Sequence, residues 1–89
     1  SPLQEMEEVL ASGNKTETQA ALQEKEILQQ AFAQLKDHEK EILLLKDAEE
    51  MTYEEISSRL NLSLSASKMR VQRARLAMKS FYQENDHER

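Results

Sequence analysis

Apolar residues recur along most of the chain at spacings of three and four, the period of one helical face. Leu3, Met6 and Leu10 carry this spacing over residues 3–11 and predict a short amphipathic helix, stopped by Gly13-Asn14. Residues 11–19 (ASGNKTETQ) are small and polar and predict a linker. From Thr18 the chain turns helical again. Leu28, Ala31, Phe32 and Leu35 keep the period within a run of Gln, Glu and Ala, all good helix formers. Lys36-Asp37 interrupts it, and Asp37 is the expected N-cap of a second helix, with Glu39 and Glu41 where the dipole favours anions.

That second helix carries residues 42–45 (ILLL) and is expected to end in the polar stretch 46–50. Thr52 stands three residues ahead of Glu55, the form of a capping box, and opens a third helix holding Tyr53, Ile56 and Leu60. Asn61-Leu62-Ser63 breaks it. Ser63 or Ser65 then caps a fourth helix that runs to about Phe81 or Tyr82, on the order of 30 Å. A short helix, a three-residue turn and a longer helix make a helix-turn-helix. The turn usually holds Gly, and Asn61 takes its place because Asn tolerates the left-handed conformation.

The expected fold is therefore all-α: a four-helix domain containing a helix-turn-helix, preceded by a short helix or linker. Residues 1–25 read as linker, 26–83 as the helical domain and 84–89 as a polar tail. Composition agrees. One Gly and one Pro among 89 residues leave little chemistry for hairpins, and the absence of Cys removes disulfides and thiolate metal sites. No run approaches the roughly 20 apolar residues of a membrane span, so a cytoplasmic protein without membrane contact is expected. The chain begins with Ser rather than Met, which predicts a piece of a longer protein.

Charge changes the picture more. The net charge is -5, which at face value opposes a nucleic-acid partner, because Lys and Arg neutralising phosphates supply most of such affinity. The charge is segregated, however. Residues 59–79 hold six cations (Arg59, Lys68, Arg70, Arg73, Arg75, Lys79) and no acid, whereas residues 41–55 hold six acids against one Lys. On the fourth helix, Ser67, Val71, Ala74, Met78 and Phe81 share one sector and predict its core face. The opposite sector presents Ser65, Lys68, Met69, Gln72, Arg73, Leu76 and Lys79, with Arg70 and Arg75 at the flanks. Arg and Lys suit guanine O6 and N7, Gln suits adenine, and an apolar tip suits the thymine methyl. A cationic face solvated and paired with its own acids is the plainer reading of any one such helix; the capped helix and turn before it favour DNA.

The same residues resemble the C-terminal, promoter-binding domain (region 4) of bacterial RNA polymerase sigma factors, particularly the extracytoplasmic-function type. The resemblance covers residues 28–81. It rests on LKDHEKEILLL (35–45), MTYEEISSRLNL (51–62) and KMRVQRARLA (68–77). The family runs as a "sYeEIA-x-x-L-g-i" helix followed by "g-T-V-k-s-R-l-x-R-A-R". Tyr53, Glu54, Glu55, Ile56, Leu60, Lys68, Arg70, Arg73, Ala74 and Arg75 fall on its positions. This chain departs from it with Ser65-Ala66-Ser67 in place of Gly-Thr-Val and with Met69 in place of a small polar residue. Ser67 on the core face is expected to cost about 1 to 2 kcal/mol of packing against Val.

The resemblance implies recognition of the minus-35 promoter element, docking on the beta flap of core RNA polymerase, and a possible anti-sigma factor over the same surfaces. It places base reading on Ser65, Lys68, Met69, Gln72 and Arg73. Phosphate contact falls to Arg59, Arg70, Arg75 and the N-terminus at Thr52, where free N–H groups attract anions; the alternative for Arg70 or Arg75 is to brace the fold through Glu54 or Glu55. Two other functions stay open: a response-regulator-type helix-turn-helix, and a helical protein-interaction module with reduced DNA binding. The fourth helix's length and the Arg73-Ala74-Arg75 continuation separate the first from the sigma reading.

Enzymatic chemistry is not expected. His38 and His87 stand 49 positions apart, the serines lack a Gly-flanked elbow, and the acids of 49–55 lack a loop that would fold around a cation. No cofactor, metal or small-molecule ligand is predicted. Residues 43–45, Leu76, Phe81 and Tyr82 exceed what one helical stripe needs. They read as core first and as a protein-contact patch second.

Overall fold

The computed structural model describes residues 18–87, so the expected helix at 3–11 and the last two residues lie outside the described residues. Four helices follow one another, with no strand among the described residues: α1 (Gln19–Ala33), α2 (Asp37–Leu43), α3 (Tyr53–Leu60) and α4 (Leu64–His87). Residues Leu44–Ala48 extend α2 by one wider, π-helical turn. The all-α expectation and the helix-turn-helix order are what the structure shows.

Local chemistry sets each boundary. Thr18 caps α1, its Oγ1 accepting the Ala21 N–H at 3.1 Å. Helical structure thus begins inside the stretch read as linker to residue 25, because this cap lies well upstream of the first buried residue, Ile27. At α2 the N-cap is Lys36, one residue before the expected Asp37. The Glu39 carboxylate accepts the Lys36 backbone N–H at 2.8 Å and so starts the helix earlier. Thr52 and Glu55 form the expected capping box: Glu55 N–H donates to Thr52 Oγ1 at 3.1 Å and Thr52 N–H donates to Glu55 Oε1 at 2.8 Å. Between the two serines offered as the cap of α4, Ser63 takes the part, its Oγ accepting the Ala66 N–H at 3.0 Å. Asn61 holds the left-handed conformation at φ 55° and ψ 49°, as its place in the turn requires.

The helix α4 is the central element, packing against α1, α2 and α3. Its buried positions Val71 and Ala74 meet Leu35, Ile42, Leu43, Leu45 and Ile56, with Leu28, Phe32, Tyr53, Leu60, Met78 and Phe81 around them. The predicted core face is therefore the observed one, and residues 43–45 serve the core. The helix does not stop at Tyr82. The stretch from residue 84, read as a polar tail, stays helical to His87, with partners from α1 and its C-cap alongside: Tyr82 donates its hydroxyl to Glu24, and the cap residue Gln34 donates from Nε2 to Asn85 Oδ1 at 3.3 Å.

Candidate nucleic-acid interface

The inward face of α4 is anchored by a polar chain. Ser67 is fully buried, and its hydroxyl lies 2.8 Å from that of Ser57 on α3. Ser57 spends its proton on the Tyr53 carbonyl at 2.7 Å, so Ser67 is the donor to Ser57. The expected packing deficit at Ser67 is thus offset by a hydrogen bond tying α4 to α3. Sequence reading placed Ser67 correctly but missed its partner. The signal was present, since Ser57 stands where the family pattern carries Ala.

A second tie sets the far flank. Asp47, in the π-helical turn, is 5% exposed, and Arg75 on α4 reaches it with Nη2 to Oδ1 at 2.5 Å and Nε to Oδ2 at 3.3 Å. The hydrogen-bonded carboxylate raises the Arg75 pKa above its ordinary value, against the opposing effect of burial. Arg75 therefore braces the fold as one reading expected, but through Asp47 rather than Glu54 or Glu55. Asp47 was read as part of a polar helix end. It lies four residues after Leu43, and continuing the helical period would have put it on the buried face.

Tyr53 fills the space between these ties. Lys46 Nζ lies 4.3 Å from its ring centroid and donates to the Met51 carbonyl at 3.1 Å. Lys68 Nζ lies 5.8 Å from the same centroid, which draws this ammonium toward α3.

The outward face of α4 carries Ser65, Lys68, Met69, Gln72, Arg73, Leu76 and Lys79, all exposed, and Arg70 is exposed at its flank. The structure brings the candidate base-reading residues Ser65, Lys68, Met69, Gln72 and Arg73 together on the N-terminal half of one helix. Arg59 is exposed at the end of α3. Thr52 is exposed too, but its N–H and Oγ1 are both engaged by Glu55, and Glu54 and Glu55 occupy the first turn of α3. An anion at this N-terminus would meet a carboxylate already in place. That carboxylate, accepting the Thr52 N–H, is held below its ordinary pKa of 4.5.

Among the described residues, no group of three or more His, Cys, Asp or Glu side chains is placed to hold a metal ion. No helix among them is long and apolar enough to cross a membrane.

Comparison with known proteins agrees with this geometry. RNA polymerase sigma factor YlaC of Bacillus subtilis (strain 168) is 41% identical over 54 residues, which make up 61% of this chain and 31% of that protein. The chain thus spans about a third of that relative's length. No solved structure matches it. Residues 25–78 match the sequence profile of the family Sigma-70, region 4, and these residues hold α2, the helix-turn-helix and most of the outward face of α4. With that match covering more than half of its residues, the chain belongs to the sigma-70 region 4 family, the helical DNA-binding domain of sigma factors.

Proposed function

We propose that this chain recognises the minus-35 element of promoters as the DNA-binding domain of an RNA polymerase sigma factor, and so helps direct transcription initiation in the bacterial cytoplasm. One observation carries the reading: an exposed face of α4, held from behind by α3 and α2, with Lys68, Arg70, Arg73 and Lys79 and no acid on that stretch of chain. The role is binding rather than catalysis, as befits a DNA-binding family.

In this reading the N-terminal half of α4 enters the major groove. Met69, Gln72 and Arg73 meet base edges, with Ser65 at the entrance and Lys68 at the side nearer α3. Arg59 and Arg70 contact phosphates. Arg75 does so only with what its pairing to Asp47 leaves free, and Thr52 only in competition with Glu55. Core RNA polymerase, through its beta flap, is the proposed protein partner, in keeping with the name of the matched relative; an anti-sigma factor would cover the same surfaces.

The test is electrophoretic or fluorescence titration of a minus-35 duplex at low salt. Replacing Arg73 by Ala is expected to weaken binding by about 1 to 3 kcal/mol and to relax preference at one base pair. Replacing Arg70 by Ala is expected to weaken all sequences alike and to lower the salt slope by about one. Equal losses on every sequence from both variants would remove base reading from Arg73.

A further inference from the structure

An apolar side chain stands at the centre of the outward face of α4. Met69 is 50% exposed there, while Ser67 and Val71, two residues to either side of it, are fully buried and fix this turn of the helix from behind. Lys68, drawn toward the Tyr53 ring on α3, leaves the centre of the face to Met69. Helical side chains lean toward the N-terminus, which carries Met69 over the small Ser65 and toward the end of α4 that enters the groove in the proposed function. Gln72 and Arg73, three and four residues on, flank it one turn further along the same face. Single exposed apolar residues are ordinary on a protein surface. Met69 is set apart by neighbours that are hydroxyl, amide and cation, and by standing where the sigma pattern carries a small polar residue.

We propose that Met69 selects a thymine in the element this chain binds, through the 5-methyl group, at a base pair beside those read by Gln72 and Arg73. The proposal rests on the DNA-binding reading and names the chemical group that one residue of that face recognises. In the major groove the thymine methyl is the apolar feature of the base-edge code, whereas cytosine offers a donor at N4 and the purines an acceptor at N7. Met69 against the methyl takes apolar surface of both partners out of water. Against a polar edge it would displace water and return no hydrogen bond. Its unbranched, polarizable thioether adjusts its torsions to meet the methyl while Ser67, hydrogen-bonded to Ser57, keeps the backbone in place. Burial of one methyl-sized group is worth about fourfold in affinity.

The test uses the full 89-residue chain. A duplex is selected with it at low salt from a random-sequence library, and each thymine of that duplex is replaced in turn by deoxyuridine, which lacks only the methyl. The parent chain is expected to lose about fourfold in affinity at one position and little at the others. Met69→Ser is expected to bind the thymine and uracil duplexes alike, and because Met69 takes no part in the core this variant keeps the fold. Met69→Leu retains an apolar tip and is expected to retain the discrimination. Uracil tolerated without loss at every position would overturn the proposal while leaving the DNA-binding reading intact. So would a uracil penalty that Met69→Ser leaves unchanged, which would give the methyl to another side chain. Failure to recover any bound duplex would overturn the DNA-binding reading and this proposal with it.

Discussion

Two buried polar ties, rather than the apolar contacts alone, fix the angle at which α4 presents its outward side chains. In the first, about half of the Arg75 side chain is exposed while that of Asp47 is 6% exposed. Removing either partner is therefore unequal. Arg75→Ala strands a buried carboxylate and is expected to cost about 2 to 4 kcal/mol, below the full figure for a deeply buried pair because the guanidinium is partly solvated. Asp47→Ala leaves an arginine that can turn to water, and about 1 to 2 kcal/mol is expected. Urea unfolding of both variants checks the order; a larger loss from Asp47→Ala would contradict it. In the second tie, Ser57→Ala leaves the Ser67 hydroxyl buried without an acceptor, an expected cost of about 1 to 2 kcal/mol. The double variant Ser57→Ala with Ser67→Val restores the apolar pair of the family pattern. It is expected to be more stable than Ser57→Ala alone, so a double-mutant cycle should depart from additivity by more than about 0.5 kcal/mol.

At the scale of elements, the helix-turn-helix is built from caps. Glu55 both accepts the Thr52 N–H and gives its own to Thr52 Oγ1. Because its folded pKa is lowered from 4.5, the stability it contributes is complete above that value and is lost as the pH falls through the lowered one. Glu55→Gln is thus expected to flatten the dependence of Tm on pH below about 4.5. Glu50, just after the cap of the π-helical segment at Glu49, holds φ at 57°, where a Cβ is costly. Glu50→Gly is expected to raise stability by a few tenths to about 1 kcal/mol, since relief of strain outweighs the greater freedom of the unfolded chain. Thermal unfolding reads that sign directly. These elements also mark what was legible beforehand. Thr52, Asn61, Ser63 and the core face of α4 follow from short-range rules of capping and period, and all were readable. For Asp47 and Ser57 the chain carried half of the signal, a spacing of four from Leu43 and a Ser where the family pattern has Ala, but their partners Arg75 and Ser67 lie on α4, 28 and 10 residues away. The polar letters at 46–50 obscured the wider turn that continues α2 and the left-handed Glu50 beyond it. The last turns of α4 were missed for a similar reason, since their partners are Glu24 of α1 and Gln34 at its C-cap.

For the whole molecule, the acidic net charge describes no surface that a partner would meet. Six acids in residues 41–55 and six cations in 59–79 fold into adjoining elements. Asp47 engages Arg75 and Glu55 serves a cap, while Lys68, Arg70, Arg73 and Lys79 remain exposed on or beside one face. Binding to DNA is therefore expected to be confined to that face, weak for this chain alone and steeply sensitive to salt. Attachment to polymerase would raise the effective concentration at the promoter. The most direct test reverses charge at two exposed positions, Lys68→Glu together with Arg73→Glu, of which only Lys68 gives up a contact, the long one to the Tyr53 ring. With circular dichroism confirming an intact helical fold, titration of a minus-35 duplex at low salt should show binding abolished. Affinity equal to that of the parent chain would contradict the assignment of this face to DNA.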